Sequence, residues 1–249
     1  MSAYGGLAAS YDALQSEVDY GALAESCVSL FALAERKVET VLDLACGTGS
    51  LLCVLAERGF ETIGTDGSPD MLSVAAQKCA ALPEGCVRPL LLGQSMQELD
   101  LYGTVGAAVC SLDGLDYVPP EELQEVFRRL GLFIEPGGVF AFDINKPEKL
   151  KNLNGQMFID ETEETFCVWR AEWDGEKNAC RYGIDIFTAA DNDLWERDFE
   201  EHIEYAHAPE TLTRALKAAG FSDLRLVDGA DTETRDAGRL FVTAKNTKG

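Results

Sequence analysis

Hydrophobic and polar positions alternate with two different periods along the chain. From about Tyr20 to Asp143, short apolar runs bounded by glycine, proline or aspartate alternate with longer segments of helical period. This arrangement is typical of a mostly parallel β-sheet joined by crossover helices, so it predicts an α/β fold. The predicted strands lie near Val38–Leu44, Glu61–Thr65, Val87–Leu92, Val105–Ser111 and Val139–Asp143. The predicted helices lie near Tyr20–Glu35, Gly49–Arg58, Pro69–Ala81 and Pro120–Phe133, and Pro136-Gly137-Gly138 is expected to turn the chain into the last strand.

After about Lys151 the pattern changes to aromatic and β-branched runs separated by turn residues, which is typical of an antiparallel meander. The α/β pattern then resumes with a helix and two strands. We therefore expect a core formed by residues 1–150 and 206–249, interrupted by an inserted β subdomain at 151–205. The runs of the meander are Phe158–Trp173, Asn178–Thr188 and Leu194–Tyr205, and the closing elements are Pro209–Ala219, Leu224–Val227 and Arg239–Ala244.

Composition and charge narrow the class of protein. The chain has 249 residues, of which 46% are hydrophobic and 26% charged, as in ordinary globular proteins. No apolar stretch approaches the roughly 18 residues of a membrane span, and the amino terminus does not resemble a secretory signal. A formal net charge of −22 repels phosphate backbones and anionic lipids. We therefore expect a soluble, cytoplasmic protein that binds neither nucleic acid nor membranes.

Eight cysteines are distributed along the chain without a C-x-x-C pair. Zinc sites usually show closely spaced ligands, and most of these cysteines have apolar neighbours, where a free thiol behaves as a small buried hydrophobe. The sequence therefore predicts reduced thiols in the core and no bound metal.

A glycine-rich turn between a predicted strand and a predicted helix is the first candidate binding element. Gly47 and Gly49 lack a β-carbon, so a ligand can approach the backbone and the free N–H groups of the following helix. Asp66 ends the next strand, where a carboxylate can accept both hydroxyls of a ribose. Both features fall at the carboxyl ends of neighbouring strands, which is where open α/β sheets bind ligands.

A dinucleotide cofactor is the main alternative ligand for such a turn. Its fingerprint, G-x-G-x-x-G/A, requires a small residue where this chain has Leu52. Asp43, four residues before Gly47, would repel a pyrophosphate but suits a ligand ammonium group. A dinucleotide-dependent oxidoreductase is therefore the weaker interpretation.

Several segments together resemble the motifs of class I S-adenosylmethionine-dependent methyltransferases, in a small-molecule subgroup with an antiparallel β insertion before the last helix. The resemblance covers roughly residues 1–145 and 205–249, and it specifies the cofactor far better than the methyl acceptor. It implies a Rossmann-like, mostly parallel sheet of seven strands with the last strand antiparallel, and S-adenosylmethionine as cofactor. The segments that carry it are Asp43–Gly49, Thr65–Leu72, Ser111–Tyr117 and Phe133–Asn145.

The resemblance also implies roles for individual residues. Ala45, Cys46 and Gly47 would line the methionine part of the cofactor, with Cys110, Ser111 and Leu112 passing beneath it. Asp66 would hold the ribose, and Gly67, Ser68 and Met71 would border the adenine. Gln94, Ser95 and Met96 fall at the third motif, where Ser95 replaces the aspartate of many relatives. Tyr11 belongs to a leading segment, 4–12, that would fold over the cofactor; anchoring of this segment to the core is an equal alternative for Tyr11.

Methyl transfer from a sulfonium depends mainly on positioning, so a dedicated base is optional. Asp113, on the loop after the fourth strand, is a candidate general base, with capping of the loop as the alternative role. His202 is a second candidate, although a histidine among carboxylates is more often an ion-pair partner.

The meander from Phe158 to Tyr205 contains 15 acidic and 4 basic residues and all three tryptophans. As a lid with Trp169, Trp173 and Trp195 as contact surface, it would favour a neutral or cationic small molecule. The alternative is a solvated acidic face over packed aromatics. Two further questions stay open at this point: whether the protein binds its cofactor without turnover, and whether it is a monomer or a homodimer.

Overall fold

The computed structural model describes residues 4–191, 194–232 and 236–247. Strands and helices are numbered separately in chain order. The strands are β1 (Thr40–Leu44), β2 (Glu61–Asp66), β3 (Leu90–Gly93), β4 (Val105–Cys110), β5 (Ile134–Asn145), β6 (Met157–Glu161), β7 (Thr165–Asp174), β8 (Ala179–Ala190), β9 (Leu194–Tyr205), β10 (Phe221–Asp228) and β11 (Arg239–Asn246). The helices are α1 (Tyr11–Leu14), α2 (Tyr20–Phe31), α3 (Ser50–Glu57), α4 (Pro69–Ala81), α5 (Leu123–Phe133), α6 (Pro147–Asn152) and α7 (Pro209–Ala219).

The larger sheet has seven strands in the order β10-β11-β5-β4-β1-β2-β3. The strands from β1 to β5 pair in parallel, whereas β11 is antiparallel to both of its neighbours, β5 and β10. The predicted α/β class, the seven-stranded Rossmann-like sheet and its antiparallel last strand are confirmed. The parallel arrangement brings the carboxyl ends of β1, β2, β3 and β4 to one edge.

Helices cover both faces of this sheet because successive side chains of a strand point to opposite faces. Leu42 and Leu44 of β1 face a cluster that includes Phe127 of α5 and Phe140 of β5. Val41 faces the other way, into a cluster with α2 and α3. The core is therefore two apolar layers separated by the sheet.

Local sequence signals set the ends of two helices where they were predicted. At α4, the Ser68 side chain accepts the N–H of Met71 and Pro69 occupies the first turn. At α7, Gly220 ends the helix in the left-handed conformation, with φ 95°. Both helices match the predicted ranges because these signals do not depend on distant contacts.

The second sheet is an antiparallel meander of β6, β7, β8 and β9 in sequential order. The sequence predicted one run over Phe158–Trp173, but the structure divides it into β6 and β7. The Thr162 hydroxyl makes the intervening turn by accepting the N–H groups of Glu164 and Thr165, at 3.3 and 3.0 Å. Part of the predicted 191–193 turn lies outside the described residues. Whether residues 151–205 form a domain of their own stays a prediction.

Several other features differ from the predictions. Helix α5 begins at Leu123 rather than Pro120, α2 ends at Phe31 rather than Glu35, and α6 was not predicted. Pro136-Gly137-Gly138 does not precede β5 but lies inside it, with Gly137 at φ 81°. A β-carbon on Gly138 would lie 2.7 Å from the Gly106 carbonyl oxygen, so close strand packing requires glycine there.

The described residues also bear on membrane spans, disulfides and metal sites. In the described ranges, no helix combines the length and the apolar character needed to cross a membrane. All eight cysteine thiols are free, and no three histidine, cysteine, aspartate or glutamate side chains of the described residues are grouped to hold a metal ion.

Replacing Phe127 by alanine should lower the free energy of unfolding by about 3–5 kcal/mol, because its ring is fully buried in the core and its removal leaves a cavity. Leu132→Ala on the same helix is the control, since Leu132 is 52% exposed. Urea unfolding monitored by circular dichroism measures both. Equal losses for the two variants would contradict the assignment of this core.

Candidate functional site

A first cavity opens at the carboxyl ends of the parallel strands. Its wall consists of the loops that follow β1, β2, β3 and β4, with Tyr4, Tyr11 and Tyr20 from the amino-terminal part of the chain. Fourteen of the sixteen residues predicted to bind the cofactor line it: Tyr11, Asp43, Ala45, Cys46, Gly47, Asp66, Gly67, Ser68, Met71, Gln94, Ser95, Met96, Ser111 and Leu112.

The two remaining residues, Gly49 and Cys110, support the cavity from behind. Gly49 has φ 75°, and a β-carbon on it would meet the Ala75 β-carbon of α4 at 3.0 Å. Its lack of a side chain therefore allows close packing against α4, and contact between Gly49 and the cofactor stays a prediction. Cys110 is fully buried, with its sulfur beside Gly114, and its predicted position beneath the methionine part of the cofactor stays a prediction.

Gly47 borders open space in the loop after β1. It has φ 54°, and a β-carbon there would have no neighbour within 4 Å. Its N–H donates to the Asp66 carboxylate at 2.8 Å, and the other oxygen of that carboxylate accepts the Ser68 N–H, also at 2.8 Å. Asp66 thus links the loops after β1 and β2 at the cavity wall. Burial raises its pKa, and these two amides oppose the shift.

Asp43 presents an unpaired acceptor to the same cavity. Its carboxyl is 2% exposed, and its Oδ2 atom has no hydrogen-bond partner. Burial, with a smaller contribution from the charge of Asp66, raises the pKa of Asp43 to about 8. A cationic group placed beside Asp43 would satisfy this atom and favour the ionised form.

The loop after β3 places its polar groups differently from the aspartate of many relatives. The Gln94 side chain is engaged at both ends by the backbone of Asp100, at 3.1 Å each. The Ser95 hydroxyl donates to Glu98 at 3.0 Å. A ligand at this wall therefore meets a hydroxyl in place of the carboxylate expected from the resemblance.

The loop after β4 has a strained backbone held by a buried carboxylate. Leu112 and Asp113 have φ values of 55° and 57°, in the left-handed region that costs non-glycine residues energy. Their N–H groups donate to Asp143 at 2.9 and 3.3 Å. Arg239 bridges the carboxylates of Asp143 and Asp113. The loop conformation therefore depends on these two charged side chains.

Asp113, the first candidate base, lies in this ion pair. Burial raises its pKa to about 6, and the Arg239 guanidinium opposes the shift. The carboxylate does not line the first cavity but contributes to a second one beside it.

The second cavity lies between the loop after β4 and the antiparallel sheet. It shares Tyr4, Tyr11, Leu112 and Tyr117 with the first cavity, so these four residues form a common wall. Its other surface carries aromatic side chains and charges of both signs. These residues include Phe158, Trp169 and Tyr182 with Asp113, Lys149, Asp160, Glu204 and Arg239. Trp173 and Trp195 do not line it.

His202, the second candidate base, is buried behind the common wall rather than exposed in a cavity. Its Nε2 atom lies 2.8 Å from the Glu200 carboxylate and its Nδ1 atom 3.1 Å from the Tyr117 hydroxyl. The Tyr117 hydroxyl in turn lies 2.6 Å from that of Tyr4. The sequence analysis gave no role to Tyr117 or Glu200. The available signal was the period of β9, which places Glu200, His202 and Glu204 on one face.

Two carboxylates, those of Glu200 and Asp12, attach the amino-terminal segment to the rest of the protein. Glu200 accepts the N–H groups of Tyr4, Gly6 and Leu7, which ties the segment to β9. Further along, Asp12 accepts hydroxyl groups from the loop and helix after β1 and pairs with Lys78. The segment therefore spans both cavities.

Comparison with known proteins gives consistent matches. Residues 41–138 match the model of a methyltransferase domain. The chain is 30% identical, over 98% of both sequences, to a putative methyltransferase of Bacillus subtilis, YqeM. It superposes on an S-adenosylmethionine-dependent methyltransferase of Clostridium acetobutylicum with a TM-score of 0.84 and 27% identity, covering 99% of this chain and 100% of that one.

A more distant structural match has the same fold. The sugar N-methyltransferase KedS8 of a Streptoalloteichus species superposes with a TM-score of 0.77 at 22% identity, over 96% of this chain and 93% of that one. The full-length sequence match, the methyltransferase-domain model and the shared sheet topology agree. The chain therefore belongs to the class I S-adenosylmethionine-dependent methyltransferases.

Proposed function

We propose that the first cavity holds S-adenosylmethionine, that the second holds a small-molecule acceptor, and that the methyl group crosses the wall between them. The observation that carries this proposal is the pair of cavities with four residues in common. A donor in one cavity and an acceptor in the other would meet at these four shared residues. Positioning of this kind supplies much of the acceleration of a displacement reaction.

The first cavity offers groups that suit each part of the cofactor. The unpaired Asp43 oxygen suits the ammonium of the methionine part, and the open space at Gly47 admits a ligand close to the backbone. Asp66 retains acceptor capacity for ribose hydroxyls. When bound, S-adenosylmethionine supplies a methyl group on a positively charged sulfur. The residues of the chain then have to orient the acceptor and exclude water.

The second cavity favours an acceptor that is neutral or cationic. Asp113 is paired with Arg239, and Asp160 and Lys149 are the other charged side chains of the wall. Burial raises the pKa of Glu204 to about 8, so this carboxyl is mostly protonated at pH 7, and a cationic acceptor beside it would favour its ionised form. A small cavity with aromatic walls suits a small molecule, and the likeness to a sugar N-methyltransferase agrees with that size. The net charge of −22 disfavours nucleic acid.

The predicted compartment is the cytoplasm. Eight free thiols fit a reducing environment. The oligomeric state, monomer or homodimer, is a matter for measurement.

Replacing Asp66 by alanine should weaken binding of S-adenosylmethionine and S-adenosylhomocysteine about tenfold or more, because it removes a charged hydrogen-bond acceptor from the cavity. Isothermal titration calorimetry measures this, with NAD as a control ligand and the exposed Asp70→Ala as a control variant. We expect binding of both adenosyl ligands by the wild type and by Asp70→Ala, and none of NAD. Absence of binding by the folded wild type would reject the proposal.

Asp43→Asn keeps the shape of the side chain but removes its charge. In the free protein the pKa of Asp43 is about 8, so the carboxyl is mostly protonated at pH 7. A ligand ammonium lowers that pKa, so binding releases a proton and affinity rises as the pH increases from 6 to 8. We expect Asp43→Asn to bind about tenfold more weakly, with less proton release.

Calorimetry in buffers of different ionisation enthalpy measures the protons released by the two proteins. Equal release from wild type and Asp43→Asn would show that Asp43 does not contact the ammonium.

The acceptor cavity can be tested through its partly buried tryptophan, Trp169. The Trp169 indole N–H has no partner and lines the cavity, whereas Trp195 is half exposed and lies elsewhere. Formation of S-adenosylhomocysteine is measured with benzylamine, glucosamine and catechol as probe acceptors. Trp169→Ala should raise KM for a transferred probe about tenfold, while S-adenosylhomocysteine binding and the Trp195→Ala control keep wild-type values. Equal KM values for the wild type and Trp169→Ala would show that the acceptor binds elsewhere. Cofactor binding by the wild type without turnover of any probe would favour a regulatory protein.

A further inference from the structure

Four side chains from three distant segments form one continuous hydrogen-bonded chain. The Tyr4 and Tyr117 hydroxyls are 2.6 Å apart, and Tyr117 continues to Nδ1 of His202 at 3.1 Å. Nε2 of His202 continues to the Glu200 carboxylate at 2.8 Å. The chain runs from the common wall of the two cavities to a buried carboxylate on β9.

The protonation of Glu200 fixes the direction of the hydrogen bonds. Burial raises the pKa of Glu200, but hydrogen bonds from His202 and from the N–H groups of Gly6 and Leu7 outweigh it and hold the pKa below its usual value. Glu200 is therefore a carboxylate and can only accept. A neutral His202 then carries its proton on Nε2, which leaves Nδ1 as an acceptor for the Tyr117 hydroxyl.

This assignment determines the role of each tyrosine. Because the single hydroxyl proton of Tyr117 points to His202, the proton between the two tyrosines belongs to Tyr4. The Tyr4 oxygen then has lone pairs but no further donor assigned to it. Both tyrosines line both cavities, whereas His202 is 1% exposed. The end of the chain that can receive a proton therefore faces the place where donor and acceptor would meet.

Two buried carboxyl groups of the second cavity, Asp113 and Glu204, are poorer bases. Asp113 is neutralised by its ion pair with Arg239. Glu204 has a pKa raised by burial to about 8 and accepts from Asn145 and Tyr182 at 3.1 and 3.3 Å. At neutral pH it is therefore mostly protonated.

We propose that Tyr4, Tyr117, His202 and Glu200 form a proton relay that removes the proton of a protic methyl acceptor, an amine or a hydroxyl compound. This inference rests on the proposed function of the two cavities. Tyr4 is the catalytic residue that contacts the acceptor, and His202 acts through the tyrosines. Glu200 positions His202 and compensates its positive charge.

Methyl transfer to the acceptor is coupled to the movement of one proton along the relay. The lone pair of the acceptor nitrogen or oxygen bonds to the methyl carbon, the carbon–sulfur bond breaks, and its electron pair stays on sulfur. The proton of the acceptor passes to the Tyr4 oxygen, the Tyr4 proton to Tyr117, and the Tyr117 proton to Nδ1 of His202. The resulting imidazolium is paired with Glu200 and returns its proton to solvent after the product leaves. Burial raises the pKa of both phenols, so they transmit a proton without ionising.

Four titratable side chains contact or face His202, one from its own strand and three from other parts of the chain. They are Glu200 on the same strand, Tyr182 opposite it on β8, Tyr117 on the turn after β4 and Tyr4 on the amino-terminal segment. Trp169 of β7 packs edge-on against the ring at 6.2 Å.

The first test needs no acceptor. The chain has two histidines, so nitrogen NMR of ¹⁵N-histidine-labelled protein bound to S-adenosylhomocysteine, compared with His207→Gln, identifies the His202 signals. We expect a protonated Nε2 and an unprotonated Nδ1 at neutral pH, and a shift of the Nδ1 signal in Tyr117→Phe. A proton on Nδ1 would overturn the relay.

The second test is kinetic, with the probe acceptors benzylamine, glucosamine and catechol. Tyr4→Phe, Tyr117→Phe and His202→Gln should each lower kcat about 100-fold with an unchanged KM for S-adenosylmethionine, because they remove proton transfer but keep packing. His202→Gln can still donate to Glu200 and accept from Tyr117.

Two matched controls separate a relay from general damage. His207→Gln makes the same change at a buried histidine that bonds the Leu115 carbonyl, and Tyr102→Phe makes the same change at an exposed tyrosine. Both should retain wild-type kcat. Relay variants that bind S-adenosylhomocysteine and keep wild-type kcat would overturn the relay and leave the proposed function intact. Loss of cofactor binding by the wild type would instead reject the proposed function. If none of the three probes is methylated, the position of the His202 proton decides.

Discussion

The hydrogen bonds accepted by one buried carboxylate, that of Glu200, connect the parts of the site. It receives the N–H groups of Tyr4, Gly6 and Leu7 as well as the ring N–H of His202. A buried carboxylate with four donors is well compensated, whereas loss of the donors would leave an uncompensated charge. The amino-terminal segment and β9 are therefore held together, and the wall between the cavities depends on that attachment.

A second set of charges stabilises the opposite side of the wall. The left-handed conformations of Leu112 and Asp113 cost energy, and they persist because Asp143 accepts both N–H groups while Arg239 holds the two carboxylates. Arg239 begins β11, the antiparallel strand inserted beside β5. The strand order of the sheet thus supplies the cation that fixes the loop after β4. Fold and site are linked through this side chain.

The sequence predicted best those features that depend on short segments. The turn after β1 and Asp66 lie at one edge because the carboxyl ends of parallel strands meet there, and α4 and α7 have strong local end signals. The turn at Thr162 was missed because residues 160–164 contain no glycine, proline or asparagine to mark it, and the turn depends on a single hydroxyl. The packing constraint on Gly49 was not predicted, because only the structure shows Ala75 against it.

The relay could not have been predicted from local sequence for a different reason. Tyr4, Tyr117 and His202 are separated by 113 and 85 positions, and no spacing rule relates residues on three separate elements. What the sequence does contain is a strand, β9, whose buried face carries Glu200, His202 and Glu204 in place of apolar side chains. Burying three ionisable groups in one strand costs stability, and apolar residues would pack the same face more favourably. Each of these three side chains has hydrogen-bond partners that account for its burial. The amino-terminal N–H groups donate to Glu200, Tyr117 bonds to His202, and Tyr182 and Asn145 donate to Glu204. The antiparallel sheet therefore contributes polar groups to the acceptor side of the site, and its role goes beyond covering the sheet edge.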